Sequence, residues 1–247
     1  MKIRTFLVII FLLLTVLTVG CGGRTQEQGV IHQGNQVADA GLKSTSKAPE
    51  PQPSLLDHLH SSDKKLPEKT VILNVQKKVL SNLGNTKVQL VKKNIHETHL
   101  FFEIRAVYPN EMYKKLRDPK NPGWVFWERT GTIEEIPGYT EKVENEIDAN
   151  VLIQRLENCK KAVSQEVSKE DITTVQKLIR HAVDKHDVLG LAYAHQILHD
   201  LDYWILNYPI HYPKVAPPDW KGVETYFGVT KSLEGAYPLE IEELLKN

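Results

Sequence analysis

The chain has 247 residues with 31 Lys+Arg against 31 Asp+Glu, so its formal net charge at pH 7 is zero. It lacks the basic excess that marks nucleic-acid binders, and no nucleic-acid partner is expected. Hydrophobic residues make up 41% and there are only two cysteines, so any fold rests on packing rather than on a disulfide framework.

The N-terminus carries Lys2 and Arg4, then an uncharged apolar run over residues 5–19 (TFLVIIFLLLTVLTV) that ends at Gly20-Cys21. A positive start, an apolar stretch of this length and a small residue before the cut are the parts of an export signal. The run is shorter than the roughly 20 apolar residues that span a bilayer. Residues 17–21, Leu-Thr-Val-Gly-Cys, resemble the lipobox of bacterial lipoproteins, with Thr18 where Leu is usual. That resemblance implies removal of residues 1–20 and a diacylglycerol on Cys21. The protein would then contact the membrane through this N-terminal lipid, on the extracytoplasmic face. Gly22 is not the Asp associated with inner-membrane retention, so in a Gram-negative envelope the outer membrane is open to it. With Cys21 lipidated, Cys159 is the one thiol left.

Residues 21–65 read as a flexible tether. Gly, Gln, Ser, Lys and Pro dominate to about residue 53, and such a segment buries too little apolar surface to offset its ordering entropy. Its root-mean-square reach is about 30–40 Å. Near its end, Asp57, His58 and His60 form a weak metal-binding candidate.

A first folded unit is expected over residues 66–147. Ile72, Val75, Val79 and Leu83 fall at helical spacing, with Gly84 placed to end the helix. Residues 87–91 alternate and residues 99–108 are rich in β-formers, which predicts a hairpin across residues 92–98. A third strand is predicted at residues 123–128, where Trp124 and Phe126 share one face and Trp127 takes the other. An exposed ring there, Trp124 or Trp127, would offer a surface to a glycan or a partner protein.

A second unit, residues 148–247, reads as helical. Leu152, Leu156, Cys159 and Val163 share one helix face, which makes Cys159 a small buried hydrophobe rather than a nucleophile. Ser168 with Asp171 suggests a helix start, followed by the stripe Ile172, Val175, Ile179 and Ala182. Asp187 caps a third helix over residues 188–208, ended by Pro209. A proline- and aromatic-rich tail and a short closing helix over residues 238–245 complete the chain. The fold class expected is α+β: a small helix-plus-antiparallel-sheet unit, then an antiparallel helical hairpin or three-helix bundle with its tail.

The chemistry-bearing candidate is the third helix. His195, His199 and Asp202 fall within roughly a 60° sector at helical spacing, and two imidazoles with a carboxylate suit Zn²⁺ or another divalent ion. His181, His186, His211 or an acidic residue would complete the site. The Glu of a His-Glu-x-x-His protease signature is missing. Asp200 and Asp202 diverge too far around the helix to act as an acid–base pair. No Gly-x-Ser-x-Gly, Walker-type, dinucleotide or Cys-x-x-Cys motif occurs, so no catalytic residue is assigned. The first functional reading is a non-catalytic binding or interaction module at the cell envelope, its partner an envelope protein or glycan. The alternatives are a metal-binding lipoprotein using His195, His199 and Asp202, and an envelope hydrolase without a recognisable motif.

Overall fold

The structure, a computed structural model, describes residues 62–107, 112–133, 142–209 and 225–246. The lipobox, Cys21, the tether through His60, and His211 all lie outside the described residues.

The first helix, α1 (Lys69–Val79), buries Ile72, Val75 and Val79. It stops earlier than its apolar spacing suggests. Asn82 takes the left-handed conformation (φ 63°) in the turn that follows, and Gly84, at φ −66°, is the N-cap of the next helix instead of the terminator of this one. Asn tolerates the left-handed region better than most residues, which lets the chain reverse there.

The expected hairpin is a single helix, α2 (Asn85–Phe102), continued by a π-helical turn at Glu103–Val107. Val91, Ile95, Thr98, His99 and Phe102 are buried at helical spacing, whereas Leu90 is 51% exposed. The alternation of residues 87–91 is therefore not that of a strand. No Gly or Pro interrupts residues 85–107, so nothing breaks the helix where a hairpin turn would need a breaker. A short helix α3 (Met112–Leu116) leads to the Trp-rich stretch, which is also helical. Asn121 accepts a bond from Gly123 N at 2.9 Å, Pro122 opens a 3₁₀ turn (Pro122–Trp124), and α4 (Val125–Glu128) follows. Pro at the first helical position suits this start.

Among the described residues the only strands are β1 (Gly131–Ile133) and β2 (Val143–Asn145), antiparallel with Thr132 opposite Glu144. The α+β expectation is thus overturned: the chain is mostly helical, with one short two-stranded ribbon. The ribbon is fastened to α4 by Asn145 Nδ2, which donates to Phe126 O at 3.2 Å and Arg129 O at 2.7 Å.

Three longer helices follow. In α5 (Ala149–Ala162), Asp148 caps Val151 N at 3.0 Å, and Leu152, Leu156 and Cys159 face the core. In α6 (Glu166–Lys185) the start lies ahead of Ser168 and Asp171, both of which are interior, buried helix positions rather than caps. In α7 (Val188–His199), Asp187 caps Leu189 N at 2.9 Å. Gly190 allows α7 to approach α6, since a Cβ there would stand 2.9 Å from Ala182 Cβ and 2.9 Å from Leu178 O. Instead of one α-helix to residue 208, α7 passes at Asp200 into a π-helical segment, Asp200–Leu206. Gln76 of α1 satisfies its terminal carbonyls, donating to Ile205 O, Leu206 O and Tyr208 O at 2.8–3.1 Å.

Short connections make α5, α6 and α7 antiparallel neighbours, and α2 packs on both α5 and α7, closing a ring of four helices. One hydrophobic cluster runs from Ile72 to Ile241, so helices on either side of residue 148 share a core. The C-terminal segment, with a 3₁₀ turn at Lys231–Leu233 and α8 (Leu239–Leu244), lies across α6 and α7. Buried carboxylates hold it there. Asp200 accepts from Phe227 N and Val229 N, and Asp171 accepts from Lys231 N, Ser232 N, Ser232 Oγ and Tyr237 Oη. Among the described residues no helix is long and apolar enough to cross a membrane.

Candidate metal centre

Where α2 faces α7, five ionisable side chains form one connected line. Asp202 Oδ2 accepts from His96 Nδ1 at 2.8 Å and from His99 Nδ1 at 2.9 Å. A carboxylate only accepts, so the proton of each imidazole sits on Nδ1 in these bonds. The other nitrogen of His99, Nε2, lies 3.2 Å from Glu103 Oε1 in poor alignment for a hydrogen bond. Glu103 Oε1 accepts from His195 Nε2 at 2.9 Å. All of these groups are buried except His96, whose side chain is 43% exposed. Asn207 Nδ2 engages the second oxygen of Asp202 at 2.5 Å.

Two π-helical turns shape this arrangement. One begins at Glu103, the other at Asp200, directly after His199. A residue in a π turn advances less around the axis than one in an α turn, so each turn re-aims the side chains that follow, a device common at functional sites. Asp202 is thereby directed at α2, to His96 and His99, rather than joining His195 on a common ion.

Burial opposes charge on every member, and pairing outweighs it on all but His195. Burial pushes the His99 imidazole down, but its bond to Asp202 and the neighbouring Glu103 carboxylate outweigh this and hold it near 9. Burial raises the Glu103 and Asp202 carboxyls, and their histidine partners more than reverse it, leaving both well below the usual carboxylate range. For His195 burial wins over Glu103, and its pKa is pushed down to about 4. At neutral pH the centre thus holds two carboxylates, the His99 imidazolium and a neutral His195 in a dry environment, and an ion bound through His99 displaces its proton.

His99, Glu103 and His195 each offer one donor atom within 4.8 Å of the other two, a group that could hold a metal ion. Glu103 Oε2 and His195 Nδ1 are buried without a hydrogen-bond partner. Such atoms carry a desolvation cost that a coordinated cation removes. The His199 ring stands beside the group, its centroid 5.2 Å from that of His99 and 6.0 Å from that of His195, with Tyr203 and Phe227 edge-on at 4.8 and 5.0 Å.

Of the residues singled out in the sequence, His195 lies in this group, His199 borders it, and Asp202 stands behind His99. His99 and Glu103 went unnoticed because their segment read as a strand; their i,i+4 spacing carries the signal once it is read as a helix. His181 pairs with Asp187 at 3.1 Å, and His186 stacks on Trp124 and bonds Glu128, both away from the centre. Trp124 and Trp127 are each 1% exposed. Trp127 packs edge-on to Phe101 and Phe102, and both indoles belong to the core rather than to a binding surface. No family model, no curated protein and no solved structure matches the chain.

Proposed function

We propose that the protein is a lipid-anchored, extracytoplasmic metal-binding protein, held to the membrane through Cys21 and carrying one divalent ion in its helical body. The observation that carries the metal reading is the buried group of His99, Glu103 and His195, three donors from two helices within 4.8 Å of one another. Two imidazoles and a carboxylate suit Zn²⁺, whose bonds to such donors run about 2.0–2.2 Å. Calcium and magnesium prefer shells built from oxygen, of which this group has little. A single carboxylate among the donors supports one ion rather than a pair.

Asp202 acts from behind the donors. By accepting the Nδ1 proton of His99 it presents Nε2 toward Glu103 and His195, the carboxylate–histidine–metal arrangement found at many metal sites. The anchor rests on Lys2, Arg4, the apolar run and the residues around Cys21. An interaction role at the envelope is compatible with this reading; the ion then maintains the surface that a partner meets.

The test is metal content of the full chain purified from membranes in detergent, without a histidine tag. One Zn²⁺ per chain is expected, with loss in Glu103→Ala and His195→Ala. A parent that neither retains nor takes up divalent metal would sink the metal reading. Incorporation of labelled fatty acid, abolished by Cys21→Ser, tests the anchor; equal labelling of both would refute it.

A further inference from the structure

We infer that a cleft beside the C-terminal segment is a binding site for a short peptide with free ends, separate from the metal group.

The cleft measures about 830 Å³, within the range of small-molecule sites. Gln196 of α7 lines it together with Phe227, Val229 and Pro238 of the C-terminal segment, and the exposed Asp63 and Lys64 form its rim. The wall is fixed from behind. Asp200, fully buried, accepts from Phe227 N at 3.0 Å and from Val229 N at 3.1 Å. Gly228 between them takes a left-handed φ of 67°, and the stem of Lys64 lies against it, so that an added Cβ would stand 3.1 Å from Lys64 Cγ. The missing side chain thus lets Lys64 reach over the segment to the rim.

Gln196 points to an occupant. It is 4% exposed and faces the cleft, and its side-chain amide has no hydrogen-bond partner among the described residues. A buried amide left unpaired carries the desolvation cost of its donors and acceptor, and folded proteins seldom leave one so. Gln offers an N–H₂ and a carbonyl in one plane, for which another amide is the complement. Beside it Phe227 and Val229, each 6% exposed, offer an apolar wall for a side chain. Lys64 and Asp63 are in no ion pair among the described residues, so the rim carries a free charge of each sign. A peptide bond, an apolar side chain, a terminal carboxylate and a terminal ammonium answer these features together. A neutral sugar lacks the charges, and a fatty acid lacks the amide.

Phe227 also packs edge-on to His199, 5.0 Å between centroids, so the cleft borders the metal centre. None of His99, Glu103 and His195 lines it.

The experiment titrates the tripeptide Ala-Leu-Ala, and separately its C-amidated form, into the full chain in detergent by calorimetry. Saturable binding of the free peptide at one site per chain is expected. Gln196→Met keeps the length of the side chain and removes its polar atoms. It should weaken binding about 10-fold, while the peptide-free variant melts no lower than the parent, since the amide has no partner to lose. Lys64→Ala, on the exposed rim, should weaken the free peptide a few-fold and leave the amidated one unchanged. No saturable binding by the parent, or equal affinity in Gln196→Met, overturns the site. So does a Gln196→Met variant that melts well below the parent, because its amide would then be engaged in the fold. Equal losses for free and amidated peptide in Lys64→Ala overturn the peptide as the ligand. A parent that binds peptide but no metal sinks the metal reading alone.

Discussion

His99 donates its Nδ1 proton to Asp202 at 2.9 Å, across 103 residues of sequence, and this bond determines which of its nitrogens faces His195. Asp202→Asn should therefore weaken metal binding without removing a donor. Loss of such an orienting partner costs about 10–100-fold in affinity. Competition with a chromophoric chelator measures it; unchanged affinity would show that the ring is oriented by packing alone.

In the metal-free protein the two histidines of the centre should give stability a maximum near neutral pH. His195 titrates near 4 in the fold, against about 6.5 in an unfolded chain. The unfolded state binds the proton that the fold excludes, so this contribution is complete above about pH 6.5 and is lost as pH falls toward 4. His99 has the opposite sign, with a folded pKa of about 9. Its contribution is complete below about 6.5 and is lost as pH rises through 9. Each arm is on the order of a few kcal/mol. Thermal melts in chelator from pH 4 to 10 check this, and His195→Gln should flatten the acid arm above the carboxylate range. If that variant keeps the parent's slope between pH 6.5 and 4, the assignment to His195 is wrong.

Asp171 organises the C-terminal segment from the interior of α6, accepting four bonds from Lys231, Ser232 and Tyr237. Burial nonetheless raises its carboxyl above the ordinary value. Asp171→Ala should cost on the order of 3 kcal/mol, because buried donors lose their acceptor. Ser232→Ala should cost less, since the backbone N–H of residue 232 still reaches Asp171. Denaturant titration of the two variants decides the ranking; equal losses would place the effect elsewhere.

What could be read from the sequence follows from how local each signal is. Leu152, Leu156, Cys159 and Val163 form an apolar stripe within one helix, and Asp187 caps α7 two residues ahead of its partner, so both are legible at short range. Residues 85–107 are not. Val88 and Leu90 mimic a strand's alternation, and residues 99–108 are rich in β-formers. The helix is stabilised by burying Thr98 and His99 next to Val91, Ile95 and Phe102, polar groups that an apolar count omits. Thr98 is satisfied within the helix by Asn94 O, and the burial of His99 depends on Asp202, 103 residues away, which accepts its proton. One donor of the centre, His195, is legible on its own helix; His99 and Glu103 depend on a contact between distant helices. The π turn at Asp200 was equally silent, since periodicity assumes a constant turn.

The donors come from two distant stretches, residue 99 on α2 with residue 103 on the π turn that continues it, and residue 195 on α7, joined by the 92-residue separation that the Glu103–His195 bond spans. No nascent or partly folded stretch of the chain holds the full set. Closing a loop of that length must precede coordination, and its entropy grows only slowly with length. Metal uptake should therefore come after α2 has docked on α7. An ion at this centre would certify that the last long-range packing step is complete, and its later loss would be an early sign of the two helices parting.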